Sequence, residues 1–284
     1  MKISVLFPVY NTNEEYLRQA IESILSQTFS DFEFLIVNDN STDLNVENVI
    51  KSYDDPRIKY FVNDNNLGIS GTRNRLLSLA QGEYLAVMDH DDISLPERFK
   101  KQIEYLDSHP EVGVISCYVG HIHRNARIDK NPENHDDICM ALFGRCGSLT
   151  HPAAMIRKSV LTDNNLRYEE EFSPAEDYAL WCRLMTHTKF HNIPEVLFIY
   201  RKHKTNTTKL QAERLENAVA GVRAFMQVDN PELYRKFLLR STQIIKIRLF
   251  NFIPLLKIVT RRSRTKVYIF EKILILSMKN SRMF

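Results

Sequence analysis

The chain has 284 residues, 44% hydrophobic and 26% charged, which excludes the collagenous and disordered classes and leaves room for one large or two modest domains of about 150 residues. No apolar run reaches the roughly 18 residues of a membrane-spanning helix, and Met1-Lys2-Ile3-Ser4-Val5 lacks the apolar core of a signal peptide. The net charge of +3 hides an asymmetry: Arg235 to Phe284 holds 13 Lys and Arg against one acid, Glu271, while the preceding 234 residues hold 25 bases and 34 acids.

Short apolar runs alternate with helical patterns through the first hundred residues, the signature of βαβ units around a largely parallel sheet. Strands are expected at Lys2 to Phe7, Phe32 to Val37, Ile58 to Val62 and Tyr84 to Val87. Between the first two, Leu17, Ala20, Ile21, Ile24 and Leu25 recur at helical spacing. Further helices fit Asn45 to Ser52, Ser70 to Ala80, and Pro96 to Ser108 with Pro96 in the first turn. After His109-Pro110 a strand fits Val112 to Cys117, and Arg124 to Cys146 reads as loop-rich. His151 to Ile156 reads as a strand and Glu176 to Thr186 as a helix. From Gln211 the pattern is helical and increasingly basic, through Arg261-Arg262-Ser263-Arg264 and Val267 to Met278. Such a tail either packs on the main domain or lies on an anionic membrane surface.

A parallel sheet presents its ligand crevice outside the carboxyl ends of its strands, and three polar clusters fall there. In Pro8-Val9-Tyr10-Asn11, Tyr10 suits a flat base and Asn11 the cap of the next helix, with a plain capping turn as the alternative. In Asn38-Asp39-Asn40-Ser41-Thr42-Asp43, Asp39 is placed to accept a base N–H and Asp43 to cap a helix. Asp89-His90-Asp91-Asp92 packs three carboxylates into four residues, a repulsion that Mg²⁺ or Mn²⁺ on a diphosphate would remove; an acidic helix cap is the plainer reading. There is no GxxxxGK[ST] loop, and Gly68-Ile69-Ser70-Gly71 lacks the GxGxxG spacing, so ATPase and dehydrogenase readings recede. Cys117, Cys139, Cys146 and Cys182 form no CxxC pair, consistent with a reduced, cytoplasmic protein. His121, His123, His135 and His151 lack metal-ligand spacing with the cysteines, and Cys182 reads as a small buried hydrophobe.

Ile3 to Asn11, Ser23 to Glu33, Asp39 to Asp43, Asn66-Leu67-Gly68 with Arg73-Asn74, Ala80 to Tyr84, Asp89 to Asp92 and Glu176 to Leu184 together resemble the family 2 glycosyltransferases of GT-A fold. The likeness runs from residue 3 to about 207. It implies an α/β fold with a Rossmann-like, mostly parallel central sheet flanked by helices. The expected organisation is a GT-A domain over 1–205, with a donor half (1–110) and an acceptor half (111–205), then a basic amphipathic helical extension over 206–284.

By the same resemblance Pro8, Val9, Tyr10, Asn11 and Asp39 contact the nucleoside, and Asp89 and Asp91 form the DxD pair, one near the ribose and the other on the metal. Arg73 belongs with the donor site. Asp177 is the general base, with Glu176 positioning it or the acceptor. Tyr200-Arg201-Lys202-His203 places His203 near the diphosphate, though Asn206 departs from the small residues usual after it. Glu176 and Asp177 lie about 100° apart on a helix, so only one aims at the acceptor. Trp181 shares the face of Asp177 and either shelters it, stacks on a sugar, or belongs to the core.

The expected activity is that of an inverting, metal-dependent hexosyltransferase using Mn²⁺ or Mg²⁺ and a UDP-sugar. The expected acceptor is a surface glycan or lipid-linked oligosaccharide, reached from the inner face of the cytoplasmic membrane through the basic C-terminus, with no nucleic-acid partner. The rivals are a catalytically silent GT-A-like binding module and a sugar-1-phosphate nucleotidyltransferase, although the Gly-rich, Arg-containing loop of the latter is missing.

Overall fold

The computed structural model describes residues 1–122, 127–144, 147–203, 206 and 210–240, and the backbone of four strands between Gln243 and Lys279. His123, Cys146 and the side chains of the tail beyond Leu239 lie outside the described residues. The chain divides into two compact units, Met1–Phe225 and Met226–Phe284.

In the first unit the order is β1 (Ile3–Val9), α1 (Glu14–Leu25), β2 (Phe32–Asn38), α2 (Asn45–Lys51), β3 (Ile58–Val62), α3 (Gly68–Leu79) and β4 (Tyr84–Val87). There follow β5 (Ile93–Ser94), α4 (Arg98–Ser108), β6 (Val112–His121), β7 (Ile128–Asp129), α5 (His135–Leu142), β8 (Met155–Arg157), α6 (Lys158–Asp163), α7 (Glu176–Leu184) and β9 (Lys189–Tyr200). The sheet runs β3-β2-β1-β4-β8-β6-β9-β5, with β7 beside β6. β1 pairs in parallel with both β2 and β4, and β8 is the antiparallel strand that joins β4 to β6.

Every residue of β1 and β2 is buried, the near-continuous apolar run of strands covered on both faces. α1 begins after Asn13, whose side chain accepts from the Tyr16 amide, and buries Leu17, Ala20, Ile21 and Ile24 against the sheet. Each of these buried Leu and Ile side chains contributes about 1.5–3 kcal/mol. The register Val9↔Asn38 and Leu6↔Val87 brings the carboxyl ends of β1, β2 and β4 to one edge. Gly82 makes that packing possible at the entry to β4: a Cβ there would stand 2.5 Å from the Ser4 amide. Ser4 Oγ accepts from the Gly82 amide at 2.7 Å and donates to Glu33, which also accepts from the Gln81 amide.

Four local expectations are corrected. His151–Ala153 is a 3₁₀ turn and only Met155–Arg157 is strand, because Pro152 has no amide for the ladder. α4 starts at Arg98, leaving Pro96 ahead of the cap. Within the region read as loop, α5 forms behind Asn134, which accepts from the Asp137 amide; two turns are too short to show a period. Asn11 does not cap α1. With φ at 40°, its Oδ1 accepts from the Thr42 and Asp43 amides at 2.9 and 3.3 Å.

Helices continue with α8 (Ala212–Asp229), within which the division into units falls, and α9 (Pro231–Arg240). The helical expectation ends there. Beyond it, β10 (Gln243–Leu249), β11 (Ile253–Arg261), β12 (Arg264–Ile269) and β13 (Ile273–Lys279) form an antiparallel sheet in sequence order. Runs such as Ile244-Ile245 and Ile258-Val259 are β-branched and favour strands. No helix among the described residues is long and apolar enough to cross a membrane.

Candidate active site

The three polar clusters meet at the carboxyl edge of β1, β2 and β4. The Asp39 amide donates to Val9 O at 2.8 Å and the Met88 amide to Leu6 O at 3.1 Å, so Pro8 to Asn11, Asp39 and Asp89 are held in register by the sheet itself. Tyr10 is 44% exposed and Asp39 only 4%, an open ring beside a buried carboxylate. Asp39 Oδ1 accepts from Asn63 Nδ2 at 2.6 Å and the Leu67 amide at 2.7 Å, leaving Oδ2 without a bond among the described residues. The turns on either side are locked by Asn11 and by Asn40, also left-handed at φ 56°, a conformation Asn tolerates better than most residues.

At the acidic turn each carboxylate has a different partner. Asp89 accepts from Arg73 Nη2 at 3.2 Å, and Asp91 Oδ2 lies 2.7 Å from His203 Nε2. Asp92 is fully buried and accepts from the Arg201 amide at 2.8 Å, while its Oδ2 has no partner among the described residues. Burial, then repulsion from Asp91 and Asp89, raises the Asp92 carboxyl well above its ordinary range. Arg201 Nε also donates to Asp91 O at 2.8 Å, and its guanidinium lies 4.4 Å over the Tyr16 ring.

Asn206, flagged in the sequence only as a departure, braces this segment. Its Oδ1 accepts from the His203 amide at 2.7 Å, and its Nδ2 reaches Arg201 O at 3.3 Å and Asp91 Oδ2 at 3.4 Å. A lone Asn carries no motif, so spacing gave no sign of it. The hard carboxylate of Asp91 suits Mn²⁺ or Mg²⁺, whereas the imidazole of His203 fits Mn²⁺ better than Mg²⁺. No cluster of three or more His, Cys, Asp or Glu suited to a metal occurs among the described residues.

Glu176 and Asp177 open α7 and diverge as helix geometry requires. Glu176, 4% exposed, accepts from Arg73 Nη1 at 2.6 Å. Among the described residues Asp177 accepts only from the Tyr178 amide, at 2.6 Å. Burial, then repulsion from Glu176 with a contribution from Asp89, outweighs the pull of Arg73 and pushes the Asp177 carboxyl up to about 7. A carboxylate at that level is matched to taking a hydroxyl proton near neutrality.

Arg73 is buried. Desolvation opposes its charge, but Asp89 and Glu176 overcome this and hold the guanidinium above its ordinary value. Sequence reasoning missed Tyr168, whose ring lies 5.6 Å from that guanidinium and whose hydroxyl is 2.9 Å from His151 Nε2. Trp181 is fully buried beside His151 and Phe190; it belongs to the core and cannot stack on a sugar. Cys182 is buried as expected, and His121 and His135 bond to Asp129 and the Phe190 amide.

Against known proteins, the profile of Glycosyl transferase family 2 matches residues 4–164. An uncharacterized glycosyltransferase of Methanocaldococcus jannaschii is 36% identical over 205 residues, 70% of each chain. The Escherichia coli O-antigen biosynthesis glycosyltransferase WbnJ is 30% identical over 234 residues, 79% of this chain and 89% of that one. Among solved structures, Staphylococcus aureus TarS 1–349 in complex with UDP-GlcNAc superposes with a TM-score of 0.70 at 21% identity, over 85% of this chain and 71% of the other. That likeness shows a shared GT-A architecture.

Proposed function

This chain belongs to glycosyl transferase family 2, and from that premise we propose that it is an inverting, metal-assisted hexosyltransferase. It moves a sugar from a UDP-linked donor to a hydroxyl of a surface glycan or lipid-linked oligosaccharide. The UDP-GlcNAc in the TarS crystal and the O-antigen role in the name of WbnJ support the donor and acceptor classes.

The carrying observation is the pair of bonds from Arg73 to Glu176 and Asp89, which puts the helix bearing Asp177 against the donor-side acidic turn. The acceptor oxygen attacks the anomeric carbon from the face opposite the diphosphate. As that bond forms, the bond from the carbon to the diphosphate oxygen breaks with its electron pair, and Asp177 takes the hydroxyl proton. One base and one displacement invert the centre. Asp39 and Tyr10 hold the base of the nucleotide, and Asp89 the ribose side. Asp91 and His203 would hold a divalent cation, which when bound offsets the charge of the departing diphosphate.

The test is a screen of UDP- and GDP-hexoses for nucleotide release in Mn²⁺. Release from one of them, lost in excess EDTA, is expected; no release from any, or undiminished release in EDTA, contradicts the proposal. The basic tail is proposed to lay the enzyme on an anionic membrane face. Equal flotation of the full chain and a chain ending near Asn230 on anionic vesicles would refute that.

A further inference from the structure

We infer that Arg73 is a positioning residue, a buried link from the donor-side carboxylate Asp89 to Glu176 that sets the direction in which Asp177 points. This rests on the reading of Asp177 as the base. Arg73 is only 7% exposed, and its two terminal nitrogens are taken by Glu176 at 2.6 Å and Asp89 at 3.2 Å. A guanidinium so engaged acts through its partners, with its buried Nε left without a partner among the described residues.

The rest of its surroundings serve the same end. Asn74, the next residue of α3, bonds the Tyr168 backbone in both directions: Nδ2 donates to its carbonyl at 2.8 Å and Oδ1 accepts from its amide at 2.9 Å. The Tyr168 ring in turn packs at the guanidinium, 5.6 Å away. Two adjacent residues of α3 therefore fix both the first turn of α7 and the chain that leads into it. Since Glu176 and Asp177 are neighbours about 100° apart, pinning one carboxylate determines the direction of the other. The charged groups around Asp177 are Glu176 on its own helix, Arg73 from α3 and Asp89 from the acidic turn, with the Tyr168 hydroxyl from the preceding chain.

The link predicts a split between binding and turnover. Arg73→Lys keeps the charge but cannot span two carboxylates as a planar fork. Its kcat for hexose transfer should fall roughly 10- to 100-fold, the cost of a misaimed group, while the Kd for UDP with Mn²⁺, read by calorimetry, stays within about threefold. Glu176→Gln still accepts from Arg73 and removes the repulsion on Asp177, so the acidic limb of its kcat profile should move to lower pH. Both substitutions nearly conserve shape, and thermal melting identifies any variant that has not folded.

A loss of UDP affinity in Arg73→Lys as large as its loss of kcat would make Arg73 a donor contact and overturn the inference. So would wild-type kcat in Arg73→Lys together with an unmoved pH limb in Glu176→Gln. Asp177→Asn, measured alongside, separates the two layers. If it is inactive while Arg73→Lys loses UDP affinity, the base reading stands and the positioning role falls. If it turns over at the wild-type rate, both fall.

Discussion

The acidic turn and the start of α7 are two clusters of carboxylates, each with one member that has only a backbone amide for a partner among the described residues. On the turn, Asp89 has Arg73, Asp91 has His203 and Asp92 has the Arg201 amide. On α7, Glu176 shares the buried Arg73 with Asp89, and Asp177 is left with a backbone amide. A carboxylate with a charged or imidazole side-chain partner is held in place as a binding group. Asp92 and Asp177, denied such a partner and facing other carboxylates, are both raised, but Asp92 is fully buried whereas Asp177 is half-buried and open to an acceptor.

The largest effect that sharpens this contrast comes from Asp177→Asn, which keeps shape but cannot take a proton. Transfer should drop by roughly 10² to 10⁴ with UDP affinity nearly unchanged by calorimetry; a parallel collapse of affinity would move Asp177 to the donor side. Asp91→Ala should lower transfer by roughly 10² to 10³ through loss of metal-assisted charge stabilisation, while melting stays within a few degrees because the substitution also relieves repulsion on Asp92. Wild-type turnover in that variant would break the assignment of the turn to binding.

Asn206→Ala removes one brace of His203 and should cost about tenfold in kcat/KM, one or two hydrogen bonds' worth. An unchanged value would make Asn206 a bystander. The smallest effect is on stability. The Asp177 carboxyl sits near 7 in the folded chain against an ordinary 3.8, so its contribution is present in acid and is lost as pH rises through 7. Asp177→Asn should therefore melt higher than the wild type at pH 8, a gap that closes towards pH 4.

The donor half was legible because its information is local. Apolar runs such as Ile3 to Phe7 mark strands, and the polar residues after them fall at one edge once β1, β2 and β4 pair with ends aligned. The partnership that sets the chemistry was not legible, since Arg73 and Glu176 are 103 residues apart and nothing in either motif names the other. Asn11 suited a helix cap in sequence, but tertiary contact gave its side chain to the Thr42 and Asp43 amides instead. In the tail, apolar and basic residues interleave in a way that helix and strand periods share, and β-branched residues turned the backbone towards strands.

The contrast between the binding carboxylates of the turn and the base on α7 is tested most directly by kcat against pH at saturating donor and acceptor. Wild-type turnover should rise through a single group near pH 7, as the Asp177 proton leaves, and that limb should be missing from the residual activity of Asp177→Asn. A wild-type profile flat between pH 5 and pH 8, or the same limb persisting in Asp177→Asn, would contradict it.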